Sequence, residues 1–283
     1  MKQQTLKNEL NLKGIGIHSG LEVNLKINPA DENTGIVFCR VDLPTKPKIP
    51  ALYSNVVDTK NCTCLGDSDK NIVSTIEHIM SALYIRGVDN ALIEVDNQEL
   101  PIMDGSAKVF YDALKEVPLV SQNAPRKFLK IKKDIMFSDE KGNFVAFKPA
   151  DKLKIKFEIE FPSQIVGRQV FESEITEDIF AKEISPSRTF CEKYQVDYLK
   201  SLGLAKGGSL ENAVVLDGEK VLNPEGFRCE KECVNHKVLD AIGDLYSSGY
   251  HIIGELTAHK TGHFHTNELL KKLFADKLNY EVF

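Results

Sequence analysis

Three short stretches of this 283-residue chain place histidine near carboxylates or other histidines at spacings that could do chemistry. The first is VNHKVLDAIGDLY, Val234 to Tyr246. Its apolar residues Val234, Val238, Ala241, Ile242 and Leu245 recur with a helical period and share about 100° of the circumference. His236, Asp240 and Asp244 fall on the opposite side, each four residues after the last. Side chains at i and i+4 stand one above the other, so an imidazole and a carboxylate can converge on one point. Nitrogen and oxygen donors placed that way suit a divalent metal ion. A solvated helix face has the same pattern, so spacing alone leaves both readings open.

The second stretch, STIEHIMSALYIRG, reads as a short helix with Ser74 or Thr75 as N-cap and Gly87 as stop. Glu77 and His78 occupy its first turn. Ser74-x-x-Glu77 also matches a capping box, in which the carboxylate only satisfies a backbone N–H. His78 could equally be a half-buried helix residue. The third stretch, TAHKTGHFHTNELL, holds His259, His263 and His265. Histidine is the side chain whose unperturbed pKa suits proton exchange near neutrality, and one or two of the three are expected to function. Cys229, Cys233 and His236 could supply three ligands of a structural zinc, but the intervals are loose and no fourth ligand is evident.

Composition narrows the partners. Apolar content of 42% and charged content of 27% are ordinary for a soluble globular protein. The net charge of −5, with signs interspersed, argues against a nucleic-acid surface. It leaves room for a phosphate-bearing small molecule held by a few basic side chains. The N-terminus lacks an apolar core of signal-peptide length and no apolar run is long enough to span a bilayer. A cytoplasmic protein without a transmembrane segment is therefore expected, its six cysteines free thiols in a reducing compartment.

The elements that must position these residues follow from period. Residues 4–12, 21–28 and 35–41 alternate as half-buried strands do, and GIGIHSG between the first two is a turn whose His18 reads as a surface residue. ALIEVD is a strand and AKVFYDALKEV a helix. A boundary is expected near residue 125, dividing the chain into 1–125 and 126–283. Strands resume in FLKIKKDIMF, NFVAFKP, LKIKFEIEFP and GRQVFESEI, followed by helical EDIFAKEI and EKYQVDYLKSLGL and the strand NAVVLD. After the Val234–Tyr246 helix come the strand HIIGELTAH and a last helix from about residue 262 to 275. Both halves run strands, helix, strand, helix, which argues for α+β layers and against a doubly wound sheet. Two such halves could pack helix layer on helix layer, with the candidate ligands meeting between them.

STIEH, PIMDGSA, SRTF, HKVLDAIGDL and KTGH occur in that order. In them, and across nearly the whole chain, the sequence resembles the UDP-3-O-acyl-N-acetylglucosamine deacetylase family, zinc amidohydrolases that commit Gram-negative bacteria to lipid A biosynthesis. The resemblance implies two similar α+β domains whose helices are sandwiched between outer sheets. It implies a Zn2+ site of His78, His236 and Asp240, a donor set that Fe2+ also suits. Glu77 corresponds to the general base, His263 to a protonated histidine that stabilises the oxyanion or protonates the leaving amine, Asp244 to its partner and Thr189 to an oxyanion donor. Phe190 and Lys237 correspond to substrate contacts and Cys62 to the site wall. Residues 191–213 correspond to an insert forming an acyl passage, with Tyr194, Val196, Leu199, Leu202 and Leu204 as apolar surface and Gly203, Gly207 and Gly208 as turns. His251, His259 and His265 match no catalytic position. The chain ends soon after its last helix, so no fused second enzyme is expected, and a monomer acting on the acylated UDP-sugar is implied. The alternative is a non-catalytic nucleotide-sugar binder on the same scaffold, which would have no need of Glu77 and His263.

Overall fold

The computed structural model describes residues 1–68 and 71–283. Its helices, among the described residues, are α1 (Glu77–Arg86), α2 (Lys108–Glu116), the single turn α3 (Glu177–Ile179), α4 (Lys193–Ser201), α5 (Glu232–Tyr246) and α6 (His263–Ala275). Two five-stranded sheets share one topology. In spatial order the first is Leu10–Ile15, Glu22–Pro29, Ala91–Val95, Ile36–Arg40 and Lys48–Pro50. The second is Ile135–Ser138, Phe144–Lys148, Glu255–His259, Lys154–Glu160 and Arg168–Glu174. In each, the strand that comes last in sequence enters the middle, antiparallel to one neighbour and parallel to the other. A parallel pair needs a crossover, and α1 and α5 lie in the two crossovers. The chain is thus a two-domain α+β protein with a repeated architecture.

Alternation explains how the sheets face the helices. Along Lys154–Glu160, Ile155, Phe157 and Ile159 are buried, while Lys156 and Glu158 on the wetter face pair with Glu172 at 2.7 Å and Arg168 at 2.8 Å. One continuous core runs from Val23, Leu25 and Ile27 of the first sheet through Ile79 and Leu83 of α1 and Val238 and Ile242 of α5 to Ile155 and Phe157 of the second. Every residue of α5 except Lys237 is buried, the profile of a helix at the centre of a molecule. Its polar face is therefore not solvated.

Several expected strands divide. Residues 4–12 form parts of two, Lys2–Leu6 and Leu10–Ile15. FLKIKKDIMF becomes Phe128–Ile131 and Ile135–Ser138, and HIIGELTAH becomes His251–Ile253 and Glu255–His259, each pair split between two sheets. The second break falls at Gly254, where a Cβ would lie 2.5 Å from Ile131 Cγ1. Period-two alternation reports which face is buried but not which sheet receives the strand. The polar segment around residue 121 is itself a strand, Leu119–Pro125, antiparallel to Lys2–Leu6. Among the described residues, no helix is long and apolar enough to cross a membrane.

Candidate active site

Helix α1 brings Glu77 and His78, and α5 brings His236, Asp240 and Asp244, to the line where the two helices cross. The approach is close because residue 243 is glycine: a Cβ there would lie 2.0 Å from the Glu77 carbonyl oxygen. The expected cap of α1 does not form. Ile76 precedes the helix with no side-chain cap, Thr75 takes a left-handed φ of 61°, and Ser74 Oγ donates to the Gln98 carbonyl. The Ser74 N–H goes to the Gln98 carbonyl, so the Glu77 carboxylate closes no capping box with it, and its Oε2 accepts the Thr63 N–H at 3.1 Å. Gly87 ends the helix as expected, at φ 74°.

The imidazoles of His78 and His236 lie 5.1 Å apart between centroids and nearly perpendicular, at 88°. His236 Nδ1 donates to the Ser187 carbonyl at 3.0 Å, which fixes the tautomer and leaves Nε2 as a lone-pair donor. His236 Nε2 is 3.4 Å and His78 Nε2 3.8 Å from the same oxygen, Asp240 Oδ1. That oxygen is buried and has no hydrogen-bond partner. Asp240 Oδ2 accepts from Lys237 Nζ at 2.6 Å. Burial, then the neighbouring His236, pushes the His78 pKa down to about 3, and burial also lowers that of His236. Both rings are neutral at physiological pH. Burial opposes ionisation of Asp240, but His236 and Lys237 overcome it and hold the carboxyl below its ordinary range. Two neutral imidazoles and a carboxylate with an unpartnered oxygen form a donor set able to bind a metal ion, with one donor atom from each residue within 4.8 Å of the others. No cysteine joins this group or the overlapping one of Glu77, Asp240 and His263, among the described residues. Cys229 instead accepts a hydrogen bond from Asn235, and Cys233 is buried.

His263 opens α6 beside this cluster. Its Nδ1 donates to Asp244 Oδ2 at 2.9 Å, and its Nε2 stands 3.9 Å from Glu77 Oε1 and 4.0 Å from Asp240 Oδ2. Burial alone would disfavour the imidazolium; Asp244 and Glu77 outweigh it and raise the pKa to about 9. Glu77 moves the opposite way from a solvated carboxylate. Burial raises it, and Asp240 and Asp244 add to that against the pull of His263, to a pKa of about 7.

A cavity of about 740 Å³ opens over these groups. Glu77, His78, His236, Asp240 and His263 line it, with Cys62, Thr189, Phe190 and Lys237. Asp244 lies behind His263 and not on the wall. From the insert, Val196 and Leu199 face the cavity. Tyr194 and Leu202 do not line it and are 70% and 50% exposed. Leu204 is not part of the wall either. His251, His259 and His265 lie beside Asp89, Glu158 and Asp139, outside the cavity.

Some participants carry no motif-level signal. His18 lines the cavity with a buried, unpartnered Nδ1. Its turn is anchored by Glu99, which accepts the N–H groups of His18 and Ser19 at 2.8 Å each. Arg188, between Ser187 and Thr189, is fully buried; its Nε donates to Glu232 Oε1 at 2.8 Å, and its Nη1 pairs with Glu225. It pins the SRTF segment to the start of α5. The only sequence hint is a basic residue flanked by two small hydroxylic ones.

A family model described as UDP-3-O-acyl N-acetylglycosamine deacetylase matches residues 3–275. Curated relatives named UDP-3-O-acyl-N-acetylglucosamine deacetylase include one from Shewanella violacea, 46% identical over 282 residues, 99% of this chain and 92% of that one. Another, from Histophilus somni, is 43% identical over 283 residues, with the same coverage of 99% and 92%. A third, from Aliarcobacter butzleri, is 43% identical over 283 residues, covering 100% of this chain and 93% of the relative.

Proposed function

The chain belongs to the UDP-3-O-acyl N-acetylglycosamine deacetylase family, and on that premise we propose that it hydrolyses the N-acetyl amide of a UDP-3-O-acyl-N-acetylglucosamine to acetate and the free amine. His78, His236 and Asp240 would hold the divalent ion, zinc in the first place, and iron(II) suits the same donors. The chemistry such an ion supplies is Lewis acidity, which polarises an amide carbonyl and acidifies water. What supports the fit is the buried, unpartnered Asp240 Oδ1 facing two neutral imidazoles.

The chain's own groups handle the protons. Glu77, with a pKa raised to about 7, takes the proton from the attacking water as a base matched to neutral pH. His263, held protonated, steadies the charge developing on the carbonyl oxygen and gives a proton to the departing amine. Asp244 accepts from His263 Nδ1, which turns Nε2–H toward the cavity. Thr189 donates its hydroxyl to the same oxyanion. Phe190 and Lys237 contact substrate, Lys237 at the sugar or diphosphate, and Cys62 closes the wall. The apolar side of the cavity formed by residues 191–213 takes the acyl chain. In this reading the N-terminal domain, residues 1–125, carries the Glu-His pair and residues 126–283 carry HKVLD and KTGH. The enzyme works as a cytoplasmic monomer at the committed step of lipid A biosynthesis in a Gram-negative cell.

The observation that carries the reading is the meeting of the His/His/Asp donors with a carboxylate and a charged histidine, each within 4.0 Å of a neighbour in the cluster. The test is acetate release from the acylated UDP-sugar by zinc-reconstituted protein of known metal stoichiometry. One metal per chain and turnover are expected, and Glu77→Ala should keep the metal while losing most turnover. Metal-loaded protein that releases no acetate would overturn the function. Normal rates in Glu77→Ala would remove that residue from the mechanism.

A further inference from the structure

Thr63 touches two of these groups from one buried position. Its Oγ1 donates to Asp244 Oδ1 at 2.6 Å, across 181 residues, and its N–H donates to Glu77 Oε2 at 3.1 Å. The second oxygen of each carboxylate is turned toward His263: Asp244 Oδ2 at 2.9 Å from Nδ1, Glu77 Oε1 at 3.9 Å from Nε2. Thr63 immediately precedes the strand Cys64–Ser68, whose first residue pairs with Ser74 just before α1, so its backbone has little freedom. A buried hydroxyl that only needed a partner could take a nearby carbonyl, as Ser81 does with His78 and Ser185 with Ala181. Thr63 instead makes two hydrogen bonds to carboxylates, the stronger kind, and each one stops a carboxylate from rotating.

We propose that Thr63 is a positioning residue that sets the base and the acid at a fixed separation, one through its amide and the other through Asp244. The proposal rests on the roles given to Glu77 and His263 above. Thr63→Val removes the O–H and keeps the N–H; Thr63→Ser restores the O–H. With the zinc enzyme and the acylated UDP-sugar, Thr63→Val should lower kcat about 10–100-fold, the usual cost of losing such a partner, with KM within about twofold and metal stoichiometry unchanged. Thr63→Ser should recover most of kcat. If Val proves too large for the site, Thr63→Ala removes the same O–H and is read the same way. A kcat within about twofold of the parent in the variants lacking the O–H, or an equal loss in Ser and Val, would overturn the proposal. Proton NMR of His263 decides it independently of turnover, so a parent protein without deacetylase activity sinks the functional reading alone. A downfield Nδ1 proton present in the parent and Ser forms and lost in Val supports the tether, and an unchanged signal in all three refutes it.

Discussion

Gly243→Ala adds one methyl group to α5 at its crossing with α1. That Cβ would lie 2.0 Å from the Glu77 carbonyl oxygen, 2.8 Å from its carbon and 2.9 Å from its Cα. All three are backbone atoms, so no side chain can swing aside. Carbon–oxygen contacts settle near about 3.3 Å, so the helices must part by about 1 Å. Two stability effects oppose each other. Alanine favours a helix interior over glycine by about 1 kcal/mol, while overpacking a close contact costs about 1–3 kcal/mol. The net loss, about 0–2 kcal/mol, makes unfolding a weak test. Activity is a strong one, because Glu77 and His78 come from α1 while His236 and Asp240 come from α5. A shift of about 1 Å at reacting groups costs about 100-fold in rate. Gly243→Ala should therefore fold, melt within a few degrees of the parent, lose kcat about 100-fold and bind zinc more weakly in a chelator competition. A kcat within about twofold of the parent together with an unchanged zinc Kd would refute the claim that this crossing fixes the site geometry.

The pH dependence has a definite sign: the proposed mechanism needs Glu77 ionised and His263 protonated, so kcat/KM should rise through about pH 7 and fall through about pH 9. A cation on the three donors moves both limbs toward acid, since positive charge favours the carboxylate and disfavours the imidazolium, and Asp244→Asn should move the falling limb further the same way; a rate flat between about pH 5 and about pH 10 would contradict the assignment. Arg188 and Glu232 side chains are both fully buried, so Arg188→Met strands a carboxylate and should cost about 3–5 kcal/mol in denaturant unfolding. The double change Arg188→Met with Glu232→Met should recover much of that loss, and a single variant as stable as the parent would show that the pair does not pin the SRTF segment.

The paired α+β architecture is legible in the sequence because alternation and helical period are local properties. The strand, helix, strand, helix order of each half survives in two sheets with identical topology. Sheet membership is not legible, since Phe128–Ile131 and Ile135–Ser138 carry the same kind of alternation and belong to different sheets. For the site, the sequence offers fragments: a carboxylate next to a histidine, three polar residues at intervals of four, a histidine after KTG. Each fragment has an ordinary explanation that only packing removes. Glu77 could cap its own helix until Ser74 is seen bonded to Gln98 and the carboxylate to Thr63.

What decides between those explanations lies in residues with no chemistry of their own. Gly243 is a poor helix former in the interior of a helix, a local cost of about 1 kcal/mol that nothing in HKVLDAIGDL explains. The explanation lies in the other domain, at the Glu77 backbone. Thr63 and Ser187 look like ordinary small polar residues, yet one bonds two carboxylates and the other sets the His236 tautomer. Their partners are 14, 49 and 181 residues away, so no window of sequence contains both ends. The reactive groups are visible as types; their separations are set by backbone contacts between two repeats. Gly243→Ala or Thr63→Val should therefore cost more turnover than the loss of an exposed side chain such as Tyr194, which lies outside the cavity wall.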